Sequence, residues 1–544
     1  MSETTVRLRS KTIARFVAAR GLAVGSDLER YLAPKLSHLS QPEAMADRAK
    51  CAQRLARAVR EGEQIVVFGD YDCDGMTAAA ILCDVIEELG GRCTPLLASR
   101  FDGGYGVSER ALEKIRDVSP DLVVTCDCGS SDHATLGQLT SAGTDVIVID
   151  HHLVPAEPLP AFAFLNPHRP ECGFAYKGLS SCGLVLSVAA ALRAELGAKL
   201  DLRQWLDLVA IGTVADVAPL TDDNRALVRA GLSTLRNAER AGIRALLDVV
   251  GIDRSAPLSA ADIAFRIAPR LNAPGRLQDP DLAFHLMRER DPERALHLAE
   301  QVEALCRRRR EDQAKIEAEA RAEVEASGQT ESPAIVVGRE GWNHGIVGIV
   351  AGRLAEELNR PTVVIGFEEG VGRGSLRGPA GFPLFDALSE CAPHLNRFGG
   401  HQAAAGMEVQ IEKLHAFRAA YQKACAARAD YEVPLPPSPL EIEAGDDLSD
   451  VLCDLELLEP CGEQNPGPRL SLRCSLRSAR EVRGGHLKVD LRTSTGRRVG
   501  GFGPGMGQLA ETLKGEVCVE GELRPDRYAG GDAVEFLVRK IAAL

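Results

Sequence analysis

Aromatic residues are scarce in this 544-residue chain: Phe, Trp and Tyr together make up 4%, and only two are tryptophan. That excludes long base-stacking platforms as the chief means of holding a ligand. Long apolar runs are missing as well. None approaches the ~20 residues needed to span a bilayer, which excludes a helical membrane protein. No charged opening followed by an apolar stretch marks a secretory leader, so the chain is expected in the cytoplasm. The fifteen cysteines show no disulfide-like framework, and in a reducing compartment they read as small buried hydrophobes. Positive charge is not in excess either: 64 Lys and Arg against 77 Asp and Glu leave −13. A histone-like global attraction to polyanions is excluded by that balance, whereas a local basic groove is not.

The rest of the composition is ordinary for a globular protein, with 45% hydrophobic and 26% charged residues. At ~150 residues per domain, the length predicts three or four domains. Residues 1–60 read as an Ala/Arg-rich helical segment, with twelve cations against five acids. Short apolar runs follow at Gln64–Phe68, Asp121–Thr125 and Asp145–Ile149, alternating with helical stretches. This alternation predicts a parallel α/β sheet within a catalytic domain spanning 61–289, with ligands beyond the carboxyl ends of its strands. Residues 290–327 lack Gly and Pro after Pro292 and space Ala295, Leu298, Ala299, Val302 and Leu305 helically, so they read as a connecting helix. Four cations, Arg307 to Arg310, interrupt it. Further buried runs at Ala334–Val337 and Thr362–Ile365 open a second α/β lobe, 328–432. A Pro-rich linker at 433–440 leads to alternating strands and Gly-rich turns over 441–544, a small barrel of the OB type.

The candidate chemistry lies at strand ends. The first run is followed by Asp70-Tyr71-Asp72-Cys73-Asp74-Gly75, the second by Asp127-Cys128-Gly129, and the third by Asp150-His151-His152. Asp216 follows an apolar helix. Each piece alone has a structural explanation: a calcium loop, a helix cap, a structural histidine pair, a buried ion-pair partner. An EF-hand is excluded because Ile81 stands where its twelfth-position Glu belongs. A zinc site from Cys126, Cys128 and His133 lacks a second pair. Their joint occurrence at successive strand ends favours one site. Crowded carboxylates repel unless cations hold them, and oxygen ligands with an imidazole suit Mn²⁺ or Mg²⁺. A carboxylate bridging two cations would suit two-metal hydrolysis of a phosphate ester.

Asp70-Tyr-Asp72-Cys-Asp74-Gly, Asp127-x-Gly129, Asp150-His151-His152 and Val214-Ala-Asp216-Val resemble the phosphoesterase motifs of the DHH superfamily. Within it, Arg270-Leu-Asn272-Ala-Pro-Gly275-Arg276, Gly341-Trp342-Asn-His344-Gly345, Gly374-Ser375-Leu-Arg377-Gly and Phe398-Gly-Gly400-His401 resemble the RecJ family, over nearly the whole chain. The resemblance implies a DHH lobe, a connecting helix, a DHH-associated lobe and an OB-fold. It also implies a 5′→3′ exonuclease on single-stranded DNA that releases 5′-mononucleotides with two Mn²⁺ or Mg²⁺ ions, in recombination and repair. By motif match, Asp72, Asp74, Asp127, His151 and Asp216 become metal ligands, with Asp127 as the bridge. His152 becomes a contact to the scissile phosphate or to a ligand. Ser375, Arg377 and Arg100 would hold a terminal 5′-phosphate, and Arg276 and His401 would touch substrate. Many superfamily members carry a His where Phe68 stands here, and Asp70 is the candidate to compensate. A single-strand-binding protein and a helicase are the partners implied. Two alternatives stand beside this reading. One is a DHH phosphodiesterase for short oligoribonucleotides or cyclic dinucleotides, whose chains are usually shorter and lack the β-rich tail. The other is a non-enzymatic replication scaffold, whose members have lost acids that are intact here.

Overall fold

A computed structural model describes residues 7–22, 25–431, 437–526, 530 and 533–544. The first half of the linker expected at 433–440, residues 433–436, lies outside the described residues. The first sheet is built from β1 (Gln64–Gly69), β2 (Arg92–Leu97), β3 (Leu122–Cys126), β4 (Asp145–Ile149) and β5 (Ala163–Leu165), all parallel in the order β2-β1-β3-β4-β5. Val66, Val67, Val123, Val124, Ile147 and Val148 are wholly buried. Unbroken apolar runs of this kind are what strands covered on both faces require. Helices Arg48–Glu61, Cys73–Glu88, Ser181–Glu195 and Leu206–Ala215 pack one face, and Glu109–Val118 and His133–Ser141 the other. Strand β2 carries Pro95 and lies at the sheet edge, where a missing amide costs least. The strand order reverses between β1 and β3, and the carboxyl ends there open a crevice.

Helix Pro292–Ala326 leaves this lobe, N-capped by Asp291, which accepts from the Arg294 amide. Its first half buries Ala295, Ala299 and Val302 in the first core, and its second half buries Ile316, Ala320 and Val324 against Trp342, Ile346 and Val350. One rigid rod therefore joins two cores. The second sheet holds β6 (Ile335–Glu340), β7 (Thr362–Glu368), β8 (Val371–Arg377), β9 (Arg397–Gly400) and β10 (Ala404–Gln410) in the order β6-β7-β8-β10-β9. Only β6 and β7 are parallel; the rest pair antiparallel.

The last sheet comprises β11 (Leu440–Glu441), β12 (Leu470–Val482), β13 (His486–Arg492), β14 (Arg498–Gly503), β15 (Glu516–Pro525) and β16 (Val534–Ala543). Its order β11-β12-β13-β14-β16-β15 is closed by a further β12–β15 pairing, which makes a five-stranded barrel with β11 appended. The segment read as one N-terminal helical unit divides between two cores. Ile13, Val17 and Leu32, on helices Lys11–Ala19 and Ser26–Leu32, join the barrel core with Leu448, Val451 and Leu458. Cys51 and Leu55 instead belong to the first lobe. Buried Arg225 ties the units together. Its guanidinium donates to the carbonyls of Tyr31 at 2.8 Å, Leu458 at 2.9 Å and Pro460 at 3.0 Å.

Candidate metal centre

The three strand tips deliver their acids and histidines to one point. Asp70 follows β1, Asp127 follows β3, and Asp150, His151 and His152 follow β4. Asp72 caps helix Cys73–Glu88, accepting from the amides of Asp74 at 3.0 Å and Gly75 at 3.2 Å. Gly75 is required by closeness: a Cβ there would stand 2.6 Å from the Asp70 amide nitrogen. Asp216 ends helix Leu206–Ala215. His151 Nε2 lies 3.2 Å from Asp127 Oδ1, 3.6 Å from Asp216 Oδ2 and 3.9 Å from Asp74 Oδ2. Asp127 holds a left-handed backbone, φ 67°, which a non-glycine residue adopts only at a cost.

Charge in this cluster is uncompensated. Burial, and then the neighbouring carboxylates, push Asp127 and Asp70 far above the ordinary carboxylate range. The same causes push Asp216 up to about 9. Asp150 behaves oppositely: burial would raise it, but the hydrogen bond from His152 Nδ1, 2.7 Å long, holds it far below the usual value. Asp150 also accepts from the His151 amide at 2.8 Å and the Ser130 amide at 3.2 Å, so it fixes the histidine loop. His152 is raised to about 9: burial opposes its charge, but Asp150 supports it.

The residues fit divalent cations. Ligand atoms of Asp70, Asp72 and Asp127, of Asp74, His151 and Asp216, and of Asp127, His151 and His152 form three groups, each with its members within 4.8 Å of one another. His151 Nε2 and Asp70 Oδ1 are buried without any hydrogen-bond partner. Orphaned buried polar atoms of this sort call for a ligand. Asp70 thus joins the cluster, while Phe68 packs in the core on the sheet's other face.

A cleft of about 710 Å³ faces this centre, lined by Tyr71, Arg100, Tyr105, His344, Arg373 and Ser375 among others. Arg100 stacks 3.9 Å above the Tyr71 ring, and its buried Nε has no partner. Arg377 stands beside Ser375: a Cβ on Gly348 would meet Ser375 Oγ at 3.1 Å and Arg377 Nη2 at 3.5 Å. Burial, then the Arg100 charge, lowers the pKa of Arg377. Of the five residues expected to touch DNA, Arg100 and Ser375 line this cleft, and Arg377, His401 and Arg276 do not. His401 is exposed at the β9–β10 turn, its amide bonded to the Ala404 carbonyl. Arg276 donates to the Gly345 carbonyl at 3.0 Å and lines a separate groove.

The sequence reading missed Ser181 and Tyr105. The Ser181 and Cys182 amides, opening helix Ser181–Glu195, donate to the two oxygens of Asp74 at 2.6 and 2.9 Å. Ser181 Oγ donates to Asp127 Oδ1 at 3.0 Å. Ser180-Ser181 ahead of an apolar run is a helix-start signal, but it does not say which carboxylate the start would grip. The Tyr105 hydroxyl donates to the Asp127 carbonyl at 3.1 Å and lies 3.0 Å from His152 Nδ1.

Family models match three stretches: the DHH family N-terminal domain over 64–213, the DHHA1 domain over 331–427 and the RecJ OB domain over 440–540. The chain is 31% identical to the single-stranded-DNA-specific exonuclease RecJ of Bacillus subtilis, over 97% of this chain and 68% of that relative. It is 36% identical to its namesake in Dickeya dadantii, over 75% of this chain and 73% of that one. The crystal structure of RecJ from Thermus thermophilus in complex with Mn²⁺ superposes with a TM-score of 0.81 at 31% identity, covering 99% of this chain and 79% of that one. The Mg²⁺ complex of that protein gives 0.73 at 29%, over 99% and 78%.

Proposed function

The chain belongs to the RecJ family of the DHH superfamily, and from that premise we propose that it removes nucleotides from the 5′ end of single-stranded DNA, in recombination and repair. It is a metal-dependent exonuclease of single-stranded DNA that uses Mn²⁺ or Mg²⁺. One observation supports the assignment above others: a buried carboxylate cluster with an orphaned imidazole nitrogen opens onto a cleft lined by arginines. When bound, a pair of divalent cations supplies charge neutralisation and a water of lowered pKa. Asp72, Asp74, Asp127, His151 and Asp216, with Asp70, are the residues to hold that pair, and Asp127 is central to all three strand tips. Asp150 keeps His152 turned so that its free ring nitrogen can donate to the scissile phosphate.

Polarity comes from the meeting of the two lobes. Arg100, Ser375 and Arg377 would take a terminal phosphate through hydroxyl and guanidinium donors, for which Arg has a matching bidentate geometry. That phosphate, once held, sets which bond lies over the carboxylates. The barrel would grip the strand further along. A single-strand-binding protein and a helicase are the partners proposed, with the cytoplasm as the place of work. A phosphodiesterase for short oligoribonucleotides is not favoured, since it would have no use for the closed barrel. An inert scaffold would not need the intact acids.

The test is digestion of end-labelled single strands and duplexes with Mn²⁺, Mg²⁺ or a chelator. Mononucleotides released from the 5′ end of single strands, only with metal, are expected. Equal digestion of duplex, or release from the 3′ end, would overturn the assignment.

A further inference from the structure

The loop of residues 98–108 joins β2 to helix Glu109–Val118 and carries two side chains of the site, Arg100 and Tyr105. Its composition alone would leave it loose. Gly103, Gly104 and Gly106 stand at φ 104°, 90° and 80°, and glycine loses more conformational freedom on ordering than any other residue. Two aspartates from outside the loop fasten it, one near each end, and neither lines the cleft. The first fastening is Ser99, which is 4% exposed. Its hydroxyl donates to Asp279 Oδ1 at 2.7 Å and accepts from the Phe101 amide at 3.3 Å. A hydroxyl has one proton, so giving it to Asp279 leaves the oxygen's lone pairs to the amide. The Ser99 carbonyl accepts from the Asp102 amide at 3.1 Å and the Gly104 amide at 3.0 Å. Asp279, 180 residues on, therefore orients the residue around which the first half of the loop turns. Arg100 depends on that turn, because its Nε has no partner and its guanidinium only rests on the Tyr71 ring.

The second fastening is Asp132, at the N-cap position of helix His133–Ser141. Aspartate is among the best capping residues, yet this one makes no cap bond to its own helix. Its carboxylate turns to the loop instead, where Oδ2 accepts from the Val107 amide at 2.7 Å. Gly106 lies directly against it: a Cβ there would stand 2.6 Å from the same oxygen. Tyr105, the next residue back, is the one whose hydroxyl reaches the Asp127 carbonyl and His152 Nδ1. A charged acceptor spent on a loop amide rather than on its own helix marks a position where loop geometry matters more than helix stability.

We propose that Asp279 and Asp132 are positioning residues: Asp279, through Ser99, sets Arg100 for the 5′-terminal phosphate, and Asp132, through Val107 and Gly106, sets Tyr105 against Asp127 and His152. The proposal rests on the reading of the chain as a single-strand exonuclease with Arg100 at the terminal phosphate. It divides one loop into two separable tasks, recognition of the strand's end at its start and support of the metal centre at its finish. A loop already held in place loses little further freedom when substrate binds, so the two latches favour both binding and turnover.

The experiment uses the full chain with Mn²⁺ and single strands ending in a 5′-phosphate or a 5′-hydroxyl. Asp279→Ala should shrink the preference for the phosphorylated end in kcat/KM about tenfold, the value of one hydrogen bond to a charged group, while kcat stays within about twofold. Asp132→Ala should do the reverse, lowering kcat about tenfold on both strands and keeping the preference. Asp279→Asn and Asp132→Asn should restore each property, because an amide oxygen accepts as a carboxylate oxygen does. Asp132→Ala added to Tyr105→Phe should cost no more than Tyr105→Phe alone, since groups that act as one unit are not additive. Full additivity of that pair, or an unchanged end preference in Asp279→Ala, would overturn the proposal. So would equal losses on both ends in all four aspartate variants that follow their melting temperatures, which would leave both aspartates with a role in stability alone. Lack of any end preference in the unaltered protein would instead sink the reading of Arg100, and the Asp132 arm, measured on either strand, would still decide that latch.

Discussion

At the scale of single residues, the centre trades stability for ligand capacity. Asp127 is buried among four like charges and held in a left-handed backbone. Asp127→Asn should cut turnover at least ~10³-fold, as loss of a main electrostatic stabiliser does, yet raise the stability of the metal-free protein by about 1 kcal/mol by relieving repulsion. Thermal melting in chelator and single-turnover assays check both halves, and a lowered melting temperature would contradict the repulsion account. Ser181 acts through Asp127 rather than on substrate. Ser181→Ala should leave KM for DNA nearly unchanged, while the Mn²⁺ concentration for half-maximal rate rises about tenfold, the usual cost of removing a ligand's supporting hydrogen bond. Arg377→Ala should shrink the preference for 5′-phosphorylated over 5′-hydroxyl ends at least about tenfold, and an unchanged ratio would free Arg377 from that role. The acids and histidines were legible because their motifs stand at strand ends. Ser181 was not, because a hydrogen bond across 54 residues leaves no local pattern.

At the scale of elements, the strand-to-helix turn after β1 is where packing and chemistry meet. Gly75 lets the first turn of helix Cys73–Glu88 press against the Asp70 backbone. Gly75→Ala should therefore cost about 1–3 kcal/mol through overpacking and move the Asp70–Asp74 loop. Denaturant midpoints and metal titration would both shift, and a neutral result in both would show that the loop yields. The buried strands β1, β3, β4, β6 and β7 were readable as apolar runs between helices, and the connecting helix as a run without breakers. Strands β8 and β9 were not, because Val371–Arg377 and Arg397–Gly400 are mostly glycine and arginine and owe their extended form to pairing with β7 and β10. Nor did β2 stand out, since its Pro95 and exposed Arg92 suit an edge that only the finished sheet defines.

At the scale of the whole molecule, the Ala/Arg-rich composition of residues 1–60 pointed to helices, but not to what they pack against. The structure assigns helices Lys11–Ala19 and Ser26–Leu32 to the barrel core and helix Arg48–Glu61 to the first lobe. Removal of residues 441–544 alone should then yield an aggregating protein, because Ile13, Val17 and Leu32 lose their cover. Removal of 1–33 together with 437–544 should yield a soluble one whose KM for long strands rises more than its kcat falls. Light scattering and steady-state kinetics on the two truncations distinguish these outcomes, and equal solubility would show that the terminal helices need no barrel. The same stitching of distant segments bears on synthesis. At ~5–20 residues per second, the ribosome makes the barrel strands tens of seconds after the helices they cover. During that interval the nascent chain carries a bare greasy patch on those helices while both α/β lobes take shape behind it, so the barrel closes on partners that left the exit tunnel well before either lobe.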